Sequence, residues 1–122
     1  MTGKVRPTLV FAYGNPSRGD DALGPRLVER LEARRRASGL DRVDLITDFQ
    51  LQVEHALDLR GREAVVFVDA AASGPEPFAI SPVVAEPDAS YTTHAMSPGA
   101  ILRVFAQVHS SRPPPAWLMA IR

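Results

Sequence analysis

The stretch Ala64–Ala70 (AVVFVDA) constrains the chain more than any other. It is apolar on both faces of an extended strand, so neither face can be left in water, and such a strand belongs in the middle of a parallel sheet with helices above and below. Thr8–Tyr13 (TLVFAY) is a second short apolar run, closed by the turn residues Gly14-Asn15-Pro16. Val43–Asp48 (VDLITD) and Ala116–Ile121 (AWLMAI) read as two further strands. Phe78–Ala85 reads as an edge strand, because Pro82 lacks the N–H that a central strand must donate.

Between these runs the period changes. Leu23, Leu27 and Leu31 recur every fourth residue with Val28 beside them, a helical stripe. Pro25 fits only in the first turn, so this helix is expected to begin near Asp20–Ala22; Arg34-Arg35-Arg36 suit its C-terminal end and Gly39 its stop. Val53–Leu59 is a short helix candidate ended near Gly61. Ser97 is placed to cap a helix whose first residue is Pro98 and whose apolar face is Ile101, Leu102, Phe105 and Val108, with His109 complementing its C-terminal end. Strands alternating with helices predict an α/β fold: three layers, with a mostly parallel, twisted sheet of about five strands flanked by helices. With 122 residues and neither repeat nor long linker, one domain spanning 1–122 is expected. The sequence stops at Arg122, directly after the last strand, so no helix is expected to follow it. An uncovered sheet face there would favour self-association.

Charge and cysteine content narrow the function. Fourteen basic and fourteen acidic residues cancel, leaving no positive field to attract nucleic acid or an anionic membrane. The absence of cysteine excludes disulfides, thiolate metal sites and a cysteine nucleophile. The apolar run after Lys4 and Arg6 is too short for a signal peptide's core or a membrane span. A soluble cytoplasmic protein is expected.

In open α/β sheets ligands bind beyond the carboxyl ends of the strands. The loop Gly14–Asp21, Asp48 and Asp69 all fall at such ends, and His94 precedes the last long helix. Each has a plain structural reading beside a chemical one. Asp20 and Asp21 suit a helix start, where acidic side chains favour the dipole and cap exposed N–H groups; one of the two can cap while the other faces outward, ionised as a metal ligand must be. Asp69 can be a turn residue, and His94 a hydrogen-bonded loop histidine. Taken together, two carboxylates and one imidazole can form an oxygen- and nitrogen-rich divalent-metal site with open positions, suited to nickel, zinc or manganese. Other schemes fit less well. Glu54-His55 lacks the second histidine of a His-Glu-x-x-His zinc motif, and neither His55 nor His109 shows a ligand spacing. No Gly-x-Ser-x-Gly elbow is present, and Ser97 is better explained as a cap than as a nucleophile. The glycine-bearing loop after the first strand is neither Gly-x-Gly-x-x-Gly nor a Walker A, and Asp20 and Asp21 would repel phosphate.

Gly14-Asn15 followed by Asp20-Asp21-Ala22-Leu23-Gly24-Pro25 resembles the G-N-x-x-x-x-D-[DE]-x-x-G signature of the hydrogenase maturation proteases. Val66–Ala70 resembles their second acidic strand end, Thr93–Pro98 their histidine loop, and Asp48–Leu59 (DFQLQVEHALDL) the acidic segment after their second strand. The four stretches occur in order and span most of the chain. The wording of the last two is most similar to members serving soluble NAD-reducing hydrogenases.

The resemblance implies a function: an aspartic-type endopeptidase that removes the C-terminal extension of a NiFe-hydrogenase large-subunit precursor after nickel insertion. It also implies the site. Asp21, Asp69 and His94 match the metal-contacting residues, and Asp48 matches a further acidic residue near the cleavage site. The nickel would be carried by the substrate, with zinc or cadmium able to replace it in crystals. Asp48 or Asp69 would then serve as general base, a choice the sequence leaves open. Family members usually continue past the strand matching Ala116–Ile121 into a loop and a closing helix, so this chain is expected to be a C-terminally truncated form. That departure keeps an alternative in play, a non-cleaving module that binds nickel or the precursor. A small sporulation-type acidic protease of similar fold is a third reading, to which the histidine loop is less similar.

Overall fold

The computed structural model describes residues 5–15, 22–38, 41–71, 74, 76–86 and 96–122. The elements follow in the order β1 (Thr8–Tyr13), α1 (Leu23–Ser38), β2 (Val43–Asp48), a 3₁₀ helix (Val53–Leu59), β3 (Ala64–Ala70), β4 (Phe78–Val83), α2 (Pro98–His109) and β5 (Ala116–Ile121). They build one five-stranded sheet of order β2-β1-β3-β5-β4. β1 runs parallel to β2 and β3, and β3 parallel to β5. Among the described residues β4 is the edge strand, antiparallel to β5, and at that edge the missing N–H of Pro82 is tolerated.

β3 occupies the centre, as its two-sided apolar character requires. Strand alternation sends Leu9, Phe11, Val65 and Phe67 to one face, where Leu51 just before the 3₁₀ helix, Ala56 and Leu59 within it, and Ile101, Leu102 and Phe105 of α2 complete a core. Val10, Ala12, Val66 and Val68 point the other way, under Leu27 and Val28 of α1. The α/β expectation, with helices on both faces of a mostly parallel sheet, is borne out.

The helix ends follow local chemistry. Ser97 Oγ accepts the Ala100 N–H at 3.1 Å, so this serine caps α2 as its sequence context implies. Val108, expected on the apolar face, is exposed. The buried stripe stops at Phe105, whose ring is covered by His109 instead, with centroids 4.3 Å apart. At the amino edge of the sheet Arg62, almost fully buried, donates to the carbonyl of Arg6 at 2.8 Å and to that of Asp58 at 2.9 Å, and pairs with the Asp44 carboxylate. Burial alone would raise the Asp44 pKa; hydrogen bonds and charge from Arg62 and Arg6 outweigh it and hold the group below the usual carboxylate range. This clamp joins the N-terminal segment, β2 and the turn before β3 at the edge opposite the acidic residues.

Candidate active site

Three polar side chains share one level and one face at the carboxyl edge of the sheet. Asp48 ends β2 and is registered with Tyr13, the last residue of β1. Ala12 pairs with Val68, so Tyr13 and Asp69 follow side by side on β1 and β3. With neighbouring strands about 4.8 Å apart, Asp48 and Asp69 flank Tyr13 with their backbones roughly 10 Å apart. Alternation puts all three on the face of Phe11 and Phe67, towards the 3₁₀ helix and α2.

Tyr13 donates its hydroxyl to Asp69. Its phenol pKa is pushed far up, first by burial, then by the Asp69 charge and the hydrogen bond itself. Tyr13 therefore stays a neutral donor at physiological pH. Asp48 is held from the other side. Its Oδ1 accepts the Phe49 N–H at 2.7 Å, and its Oδ2 lies 3.0 Å from His55 Nε2. The Asp48 side chain remains 43% exposed and lines a cleft of about 200 Å³ with Gly14, Pro25, Thr47 and Phe49.

Two glycines let the backbone close around this edge. Gly14, at φ 148°, donates its N–H to the Asp48 carbonyl at 3.0 Å, which binds the turn after β1 to the end of β2. A Cβ on Gly24 would stand 3.3 Å from the carbonyl oxygens of both Tyr13 and Val68. The first turn of α1 thus rests directly on the ends of the two central strands, so closely that a side chain at Gly24 would push the strand ends back by a few tenths of an ångström. On the opposite side the Met96 N–H donates to the Leu51 carbonyl at 3.1 Å, so the segment entering α2 is pinned to the segment leaving β2.

Of the four expected site residues, Asp48 and Asp69 stand at this edge; Asp21 and His94 lie outside the described residues. Among the described residues no three His, Asp or Glu side chains gather to hold a metal. Among the described residues this edge presents two carboxylates, Asp48 held by His55 and the Phe49 N–H, and Asp69 bonded by the neutral Tyr13 hydroxyl.

The sequence matches no protein-family model and no curated protein sequence. Solved structures do share its fold. The NiFe-hydrogenase maturation protease HycI from Thermococcus kodakarensis superposes with a TM-score of 0.63 at 24% identity, over 99% of this chain and 76% of that one. The chain has the fold of the NiFe-hydrogenase maturation proteases. The maturating endopeptidase HybD from Escherichia coli gives 0.63 at 21% identity, over 93% and 72%. A hydrogenase 2 maturation peptidase from a Thaumarchaeota archaeon gives 0.61 at 25% identity, over 95% and 79%.

Within this maturation-protease fold one residue at the edge escaped the sequence reading. His55 completes no zinc motif and shows no ligand spacing in the sequence, yet it is 8% exposed and faces Asp48. A helical signal was there to find: His55, Ala56 and Leu59 form one buried stripe, which turns a polar ring into the core seven residues after a strand-ending aspartate. Among the described residues no helix is long and apolar enough to cross a membrane.

Proposed function

We propose that this protein is an endopeptidase that trims the C-terminal extension from a NiFe-hydrogenase large-subunit precursor once nickel has been inserted. The observation that carries the reading is a fold shared over nearly the whole chain with three enzymes described as hydrogenase maturation proteases or peptidases. The acidic residues at the carboxyl edge support it, since that edge is where α/β sheets do their chemistry.

In this reading Asp21, Asp69 and His94 contact nickel that arrives bound to the substrate, and the contact orients the scissile peptide. Orientation of this kind can lower a barrier by about 7–11 kcal/mol in favourable cases. Tyr13 keeps the Asp69 carboxylate directed. Cleavage is hydrolytic: a carboxylate takes a proton from water, the water oxygen adds to the scissile carbonyl, the C–N bond breaks, and the proton leaves with the amine. The proposed place of action is the cytoplasm. The soluble NAD-reducing hydrogenases are the proposed client type, on the strength of the DFQLQVEHALDL segment and the Thr93–Pro98 loop.

Incubation with nickel-loaded and nickel-free precursor tests this. Loss of the tail from the nickel-loaded form alone is the expected result. Binding of the precursor without cleavage would replace the protease by a binding module, and cleavage independent of nickel would remove the metal checkpoint.

A further inference from the structure

The geometry points to His55 as the positioning residue for the carboxylate that activates water, and so to Asp48 as that carboxylate. The inference rests on the protease reading above.

The hydrogen bonds around His55 fix its tautomer. The Gln52 N–H donates to Nδ1 at 2.8 Å, so that nitrogen must carry a lone pair. In the neutral ring the single proton is then on Nε2, which donates to Asp48 Oδ2 at 3.0 Å. The ring cannot turn to break this arrangement. It is buried, and it stands edge-on to Phe11 with centroids 4.6 Å apart and planes at 72°. The same orientation prevents His55 from acting as a base itself, because Nδ1 is occupied by a backbone donor and Nε2 already holds its proton.

Asp48 is therefore gripped on two sides, by His55 at Oδ2 and by the Phe49 N–H at Oδ1, while 43% of its side chain stays open to the cleft. The remaining lone pairs have the cleft as their approach. Asp69 is differently placed: it accepts the hydroxyl of Tyr13, deeper towards the centre of the sheet, and in the protease reading it faces the metal. Two carboxylates at one edge thus divide the work. Asp48 takes a proton from water, the water oxygen bonds to the scissile carbonyl carbon, and the proton passes to the departing amine as the C–N bond breaks. In this role His55 acts through Asp48, keeping the carboxylate plane in one rotamer.

The test uses the full chain and nickel-loaded precursor. His55→Phe keeps an aromatic ring against Phe11 but donates nothing; His55→Gln keeps a donor at the position of Nε2. The expected result for His55→Phe is a kcat about 10–100-fold lower, the scale of losing one hydrogen bond to a charged group in the transition state, with KM little changed. His55→Gln should recover most of that loss, and Asp48→Asn should be the slowest of the three. A nitrogen-15 NMR spectrum of the wild-type imidazoles supplies an independent readout, with the proton of the neutral His55 ring expected on Nε2. His55→Phe with wild-type kcat, His55→Gln no faster than His55→Phe, or a proton found on Nδ1 would each overturn the assignment while leaving the protease reading standing. A wild-type protein that leaves nickel-loaded precursor uncut would overturn the reading beneath it.

Discussion

Replacing Tyr13 by Phe removes one hydroxyl and keeps the ring in the core, so it isolates the bond to Asp69. Hydrogen bonds to a charged partner contribute roughly 1.5–3 kcal/mol. Asp69 is only partly buried, so water recovers some of the loss, and the expected destabilisation at pH 7 is about 1–2 kcal/mol. For a chain of this size that lowers the melting midpoint by roughly 4–10 °C. The pH dependence carries a sign. The folded phenol pKa is raised, so the bond's contribution is fully present below the unfolded value of about 10. It is lost as pH climbs from there towards the folded value, because the unfolded phenol ionises first. Urea unfolding of wild type and Tyr13→Phe at pH 7 and near pH 11 measures this directly. The gap between the two proteins should close at the higher pH, while groups common to both cancel. Equal stability at pH 7, or a gap that does not change with pH, would refute the Tyr13–Asp69 bond.

The remaining predictions concern the clamp, the close approach and the site. Arg62→Met should cost about 2–3 kcal/mol in urea unfolding at pH 7, the penalty for breaking a buried pair reduced because Asp44 is 31% exposed. Since the Asp44 pKa is lowered in the fold, that loss should shrink as pH falls from above 4 through the folded value. Gly24→Val should destabilise by about 1–3 kcal/mol in thermal melts, because its Cβ meets two backbone carbonyls of the central strands at 3.3 Å. Asp21→Ala and His94→Ala should each abolish precursor processing with an unchanged circular dichroism spectrum, and Asp69→Asn should weaken nickel-dependent processing about tenfold or more.

The fold was legible because its signals are local and redundant. AVVFVDA could only be central, Pro82 only at an edge, and Ser97-Pro98 only at a helix start, and β3, β4 and α2 stand where these residues say. Asp48 and Asp69 were legible as strand-end carboxylates for the same reason. Their shared face and their separation by Tyr13 were not, since register between strands depends on pairing that no single segment encodes. Tyr13 itself read as the last apolar residue of a strand, and only the neighbouring strand turns its hydroxyl into a functional donor. His55 was hidden differently. Its partners are one strand-end side chain and one backbone N–H, and a ligand motif sought by spacing along the chain does not detect a contact of that kind. Val108 shows the limit of periodicity: the helical stripe marks a direction, and where the core ends along it is decided by the packing of Phe105 and His109.

In the proposed site two carboxylates and one imidazole, remote in sequence, meet around one divalent ion. Anomalous diffraction from a zinc-soaked crystal tests it most directly. The expected result is a single strong peak with carboxylate oxygens of Asp21 and Asp69 and a ring nitrogen of His94 at about 2.0–2.2 Å. A peak bound by other residues, or these three side chains on separate parts of the surface, would contradict it.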